Sequence, residues 1–385
     1  VIGYDINEKG CQISYYDDSM EEPDTMMASS NNYLIPLVLG YFKDRWVFGK
    51  EAKRLAVVGE DCTETDLYGK AKRREKVSLA GKTYDAVWLL AKYISLTLQD
   101  FENIQYLTFT TPETDVDMAK MLKGIGQHIG VDKEIINVQD YKESFCQYMI
   151  FQPKELWQYE SALFYCDEDR IKAYMLRRLR VDASHGMNSF VTVDEVANAQ
   201  RKELEALYPI MNKEKSPDES FKSMIENVFE KKVISSVYLT GEGFEKNWYP
   251  NSLRVLCNGR RAFMGNNLYS KGACYKSIRK CEPNDDGPIY LDETKLTERI
   301  CLRMRVDGQE GWYPLVTWGT HWYEADGQWE VLLEDTSDIE ILVESLVDEE
   351  VQVEKVSLEG LPKRTDYSLR LQVEVMFLDE RTCKL

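Results

Sequence analysis

Histidine is scarce in this chain, and so are the patterns that hold metals. Only three His occur in 385 residues, His128, His185 and His321. None has a partner at metal-ligand spacing, which argues against a zinc site. The nine Cys are scattered, with no CxxC pair. Cys146, Cys166, Cys257 and Cys274 sit among apolar or small residues, so the sequence reads as reduced, buried thiols in a cytoplasmic protein. No Ser–His–Asp or Cys–His set assembles from spacing. Long apolar runs are missing too. The longest, YLIPLVLGYF at 33–42, contains a Pro and is too short to span a bilayer. No secretory apolar segment is visible, and no membrane partner is expected. Positive charge is in deficit: 48 Lys and Arg against 66 Asp and Glu leave a net charge of -18. So acidic a surface repels phosphate backbones and argues against a nucleic-acid partner.

What is present fits a soluble protein with room for two or three domains, at 43% hydrophobic residues and a mean hydropathy of -0.45. VIGYDINEKGCQISYY, residues 1–16, reads as a β-hairpin with a carboxylate at its tip. Residues 33–50 read as two strands around the turn Lys43–Asp44, and a helix follows at 50–58. Apolar spacing predicts helices at 83–99 and at 114–129, the latter with Met118, Met121, Leu122 and Ile125 on one face, around a strand at 106–112. A second block repeats the theme. SALFYCDEDRIKAYML, 161–176, is again strand, acidic turn, strand. Helices are predicted at 193–208 and at 217–231, the second with Ser216 as N-cap and Pro217 in the first turn. SSVYLTGEGF, 235–244, is a strand entering a Gly-rich turn, and GNNLYSKGACYKSI, 265–278, reads as a helix. Pro, Gly, Asn and Asp cluster in KCEPNDDGP, 280–288, as in a linker. From 289 onward strand follows strand with turns every eight to twelve residues, the pattern of an antiparallel β-sandwich.

Two α/β lobes, each opening with strand, acidic turn and strand, then a β-sandwich, resemble the heat-shock protein 70 (DnaK-type) chaperone family, within the actin and sugar-kinase ATPase superfamily. The order of segments carries the resemblance over nearly the whole length. IPLVLGYFKDRWVFGKEA is similar to the family's strand pair and following Gly-x-x-Ala. LTFTTPETDVDMAKMLKGIGQHIGV is similar to its strand–Pro segment and next helix. YPLVTWGTHWYEADGQWEVLLEDTSDIEILVES and SLEGLPKRTDYSLRLQVEVMFLDERTCKL are similar to the strands of its peptide-binding sandwich. The resemblance implies a two-lobed, actin-like (ribonuclease H-like) α/β fold at 1–282, with lobe I at about 1–158 and lobe II at about 159–282. A linker at 283–288 and an all-β sandwich at 289–385 follow. The family's helical lid has no counterpart within these residues.

The resemblance also implies ATP or ADP with Mg²⁺, and here the residues depart from it. The first phosphate turn, VIGYDIN, keeps Asp5 but has Asn7 where the family has Gly; an ordinary hairpin turn explains it equally well. In the second, LFYCDEDRIKAYML, Tyr165 replaces the first Asp. Asp167, Glu168 and Asp169 replace three Gly, Arg170 replaces a Thr, and Lys172 replaces the last Asp. One carboxylate about 5 Å from a phosphate charge costs roughly 3 kcal/mol at an effective dielectric near 20. One or two such pairs cancel most of a micromolar affinity, about 8 kcal/mol. The phosphate-reaching lysine falls at Lys72 in YGKAKRRE, also readable as a solvated basic run. The catalytic Glu falls at Val138, so no catalytic residue and no metal ligand is assigned. The adenosine turn keeps Gly241 and Gly243 around Glu242, and Gly272 opens the closing helix, where small residues also serve packing. In the sandwich, Trp329, Ile339 and Ile341 fall at the family's peptide pocket and Tyr313 at its arch, although alternating aromatic and β-branched residues also build any sandwich core.

These residues imply a DnaK-type chaperone-like protein with degenerate ATPase motifs, a pseudoenzyme that binds weak nucleotide or none and takes a polypeptide partner as adaptor or specialised chaperone. Two alternatives stay open: an active ATP-dependent chaperone with rebuilt phosphate loops, and an actin-like assembly scaffold.

Overall fold

The computed structural model describes every residue except 30–31, 59–61, 180–188, 201–216, 283–286, 335, 347–349 and 362–367. The chain divides into two compact units. The first is Val1–Arg177 with Val193–Asp286, and the second is Arg178–Thr192 with Gly287–Leu385. No helix among the described residues is long and apolar enough to cross a membrane.

Lobe I of the first unit begins with β1 (Ile2–Ile6) and β2 (Gly10–Tyr15), then β3 (Asp24–Thr25) and β4 (Ile35–Pro36). Strands β5 (Leu39–Phe42) and β6 (Arg45–Phe48) turn at Lys43 and Asp44, both in the left-handed region at φ 49 and 60, as a tight hairpin of this twist requires. Helix α1 (Gly49–Val58), β7 (Thr63–Glu64), α2 (Leu67–Lys72), β8 (Lys76–Leu79), β9 (Lys82–Asp85) and α3 (Ala86–Thr97) follow. Then come β10 (Leu107–Thr111), α4 (Val116–His128), β11 (Ile136–Asp140) and α5 (Tyr141–Ile150). Asp85, Asp115 and Asp140 start α3, α4 and α5 by accepting backbone N–H bonds.

Lobe II carries β12 (Glu160–Cys166), β13 (Arg170–Leu179), β14 (Phe190–Gln200), α6 (Pro217–Phe229), β15 (Ile234–Thr240), α7 (Pro250–Leu256), β16 (Arg261–Met264) and α8 (Leu268–Cys281). The strand order in lobe I is β11–β10–β1–β2–β3, and in lobe II it is β16–β15–β12–β13–β14. In each lobe the first strand pairs antiparallel with its hairpin mate and parallel with the strand on its other side, which in turn pairs parallel with the outermost one. One topology is thus used twice. Phe164, Ile171, Phe221, Ile225, Val237 and Phe244 are wholly or almost wholly buried in the core of lobe II.

Three expectations change. Residues 190–200, predicted in part as helix, are the strand β14. Its opening run Phe190-Val191-Thr192-Val193 is aromatic and β-branched, and Phe190, Val191 and Val193 are buried. The rest of that predicted helix, 201–208, lies outside the described residues, as do Ser216, His185 and most of the linker. Second, α8 packs on the lobe I strands β1, β2 and β10 and on α5, not within lobe II. Third, residues 178–192 group with the second unit, where Phe190 packs with Leu291 and Leu346.

That unit contains β17 (Ile289–Tyr290), β18 (Glu298–Val306), β19 (Gln309–Val316), β20 (Gly327–Glu334), β21 (Asp338–Ser345), β22 (Val351–Ser357), β23 (Ser368–Phe377) and β24 (Cys383–Lys384). Its two sheets, β19–β18–β21–β22 and β20–β23–β24, enclose a core of Leu302, Leu315, Val316, Ile341, Val373 and Val375.

A candidate site packed with tyrosines

The first turn is closed by its own side chain. Asn7 Oδ1 accepts the backbone N–H of Lys9 at 2.9 Å and of Gly10 at 3.3 Å. Asn is favoured there because its amide caps a turn from within. Its Nδ2 donates to the Tyr141 hydroxyl at 2.9 Å, and that hydroxyl donates to Asp5 Oδ1 at 2.7 Å. Tyr141 is the first residue of α5, and its ring stacks on Tyr269 of α8 at 3.7 Å and 7°. So Asp5 and Asn7 do meet, but around a phenol. Burial pushes the Asp5 carboxyl up to about 7, against the smaller opposing effect of the Tyr141 hydrogen bond.

The second turn is also self-contained. Asp167 Oδ1 accepts the N–H of Asp169 at 2.8 Å and of Arg170 at 2.9 Å. Burial, then the neighbouring Asp167, lifts the pKa of Tyr165 well above the ordinary phenol range. No cluster of three His, Cys, Asp or Glu arranged for a metal occurs among the described residues. Lys172 lies 3.4 Å from Glu195 and 4.0 Å from Glu113, so it faces carboxylates of both lobes.

The glycines assigned to adenosine serve close backbone contacts. Gly241 has φ +100, and a Cβ there would meet Cys166 O at 2.2 Å; at Gly243 it would meet Cys166 Sγ at 2.3 Å. The turn they form therefore lies directly on the end of β12. Glu242 between them pairs with Lys9 of the first hairpin, joining lobe to lobe. A Cβ at Gly272 would meet Ser144 O at 2.0 Å, where α8 crosses α5. Beside that crossing, Lys276 reaches the buried Glu143 at 2.8 Å.

Lys72 is exposed at the end of α2. From the same helix it is Tyr68, 7% exposed, that is buried, its pKa raised first by desolvation and then by Glu8 and Asp5. Val138 is buried in β11 opposite Phe109. The sequence motifs named the turns and not the phenols beside them, Tyr68, Tyr141 and Tyr269, with Tyr165 noticed only as a departure. The available signal was a phenol next to nearly every phosphate-turn segment, in a chain with 23 Tyr.

Residues 22–293 match the C-terminal region of a family of unknown function, DUF5716. The chain belongs to this family. Residues 295–385 match a second domain of unknown function, DUF8552, and no curated protein matches the chain. The DUF5716 match contains the whole tyrosine cluster. The DUF8552 match holds the four residues assigned to peptide. There Ile341 is a core residue at 8% exposure, and Trp329 and Ile339 pack partly buried against the same core. Only Tyr313 is exposed, on the edge strand β19, next to the exposed Trp312.

Proposed function

We propose that this DUF5716 chain is a chaperone-like protein on an actin-like, two-lobed scaffold, working in the cytoplasm as a polypeptide-binding adaptor without an ATPase cycle. The observation that carries this reading is the Asp5–Tyr141–Asn7 hydrogen-bond cluster capped by Tyr269, which places aromatic mass where the resemblance would put phosphate. The repeated strand order of the two lobes supports the scaffold. An ATPase with rebuilt turns would need a carboxylate for Mg²⁺, and Asp167 already accepts two backbone bonds of its own turn. A polypeptide is recognised at the edge of the sandwich, where residues 309–314 of β19 are exposed on both faces. An extended segment adds there as a strand, and Tyr313 and Trp312 supply side-chain contact.

The test is binding of a permanently unfolded, carboxymethylated polypeptide with and without ATP and Mg²⁺. The expected result is equal affinity in both conditions, weakened about tenfold in Trp312→Ala/Tyr313→Ala. Release of the polypeptide by ATP, or affinity unchanged in the double variant, contradicts the proposal.

A further inference from the structure

A groove of about 320 Å³ runs between α3 and α4 on lobe I. Its apolar floor includes Val87, Trp88, Met121 and Ile125. Trp88 is 38% exposed yet held in place: it stacks on Tyr84 at 5.5 Å and 12°, and Trp46 lies against it at 5.8 Å. An exposed aromatic with its orientation already fixed loses little entropy on binding.

Two glycines of α4 differ in a telling way. A Cβ at Gly126 would meet the Ile136 Cδ1 methyl at 2.4 Å, so glycine there lets α4 pack close within the lobe. A Cβ at Gly124 would meet nothing within 4 Å. Gly124 lies on the groove, in the middle of a helix, where glycine costs about 1 kcal/mol relative to Ala. Nothing among the described residues accounts for it, whereas an occupant approaching the helix backbone would.

The rim is cationic on a chain of net charge -18. Arg74 and Lys120 line it, and the one carboxylate among the lining residues, Asp85, is engaged as the N-cap of α3. Beyond the lining, Lys92 on α3 and Asp117 and Lys123 on α4 share these helices. The groove's two long walls are helices, the arrangement into which a third helix packs along its length. A helix satisfies its own backbone.

We propose that this groove binds an acidic amphipathic helix of a protein partner, with one bulky apolar side chain seated between Trp88 and Gly124 and carboxylates facing Arg74 and Lys120. This site is separate from the sandwich edge and stands or falls without it.

The test is selection of a displayed library of random 16-residue peptides on the full chain, with Gly124→Leu, Trp88→Ala and Lys120→Glu as counter-targets. Open space at Gly124 and the higher helix propensity of Leu keep that variant folded. The expected winners are net acidic with apolar residues at i, i+3 or i+4, and i+7. A labelled winner should bind at least about tenfold more weakly to Gly124→Leu and to Trp88→Ala, and its affinity should fall with added salt. Winners without that pattern, or winners indifferent to Gly124→Leu, overturn the proposal. A concentration-dependent dimer of the chain that Gly124→Leu dissolves overturns it in favour of a second copy as occupant.

Discussion

Asp5 is the residue on which the cleft chemistry turns. Its carboxyl is buried, and loss of hydration pushes it up to about 7 from an unfolded value near 4. Between about pH 4 and pH 7 the folded chain therefore holds a proton that the unfolded chain has lost. This contribution is fully present below pH 4, declines as pH rises to about 7, and is flat above. Three units correspond to about 4 kcal/mol at most. Asp5→Asn keeps an acceptor for Tyr141 and removes the charge. Urea unfolding should show the variant more stable than the parent by on the order of 2 kcal/mol at pH 8, with the gap closing at pH 4.5; an equal gap at both pH values would exclude a buried titrating Asp5. The two stacked phenols should respond in opposite senses. Tyr141→Phe removes bonds to Asp5 and Asn7 and should cost about 1–3 kcal/mol. The Tyr269 hydroxyl is buried without a hydrogen-bond partner among the described residues, so Tyr269→Phe should be neutral or stabilising by about 1 kcal/mol in the same assay.

At the scale of elements, α8 depends on two backbone approaches. A Cβ at Gly3 of β1 would meet Cys274 N and Ser270 O at 2.2 Å, and one at Gly272 would meet Ser144 O at 2.0 Å. Backbone atoms cannot step aside as a side chain can. Gly272→Ala should lower stability by about 3 kcal/mol, read as a fall in the thermal midpoint; an unchanged midpoint would show that α5 and α8 are free to separate. Much of this level was legible in advance. Hairpins, helices and the sandwich strands follow from periodicity and from turn residues such as Lys43–Asp44. Two things were not. The run at 193–200 carries apolar spacing compatible with a helix, and tertiary pairing decided for the strand. The packing of α8 on lobe I could not be read from its own residues, because Gly272 and Ala273 permit close contact without saying with what. Ile341 shows the same limit: alternation predicts an inward face, and the choice between core and pocket depends on the opposite sheet.

For the molecule as a whole, the issue is what keeps the first unit's lobes together. Two of the ion pairs that cross between them are weak holds. The Lys9 and Glu242 side chains are 48% and 40% exposed, and Glu113 opposite Lys172 is 84% exposed, so each contributes no more than about 1 kcal/mol. Burial of large aromatic side chains is worth more, about 1.5–3 kcal/mol each. Tyr68, Tyr141 and Tyr269 are each less than 9% exposed. The stacked pair Tyr141–Tyr269 joins α5 to α8, and the largely buried pair Lys276–Glu143 joins the same two helices. On the proposed reading, a nucleotide would have to displace stacked rings as well as face the Asp167–Glu168–Asp169 turn. The carboxylates in place of glycines were visible in the sequence; the rings became visible only when α5 and α8 were brought side by side. The most direct measurement is calorimetric titration of ATP and of ADP, each with Mg²⁺, into the full chain. A closed cleft gives no binding heat up to millimolar nucleotide. Micromolar binding of either nucleotide would contradict it.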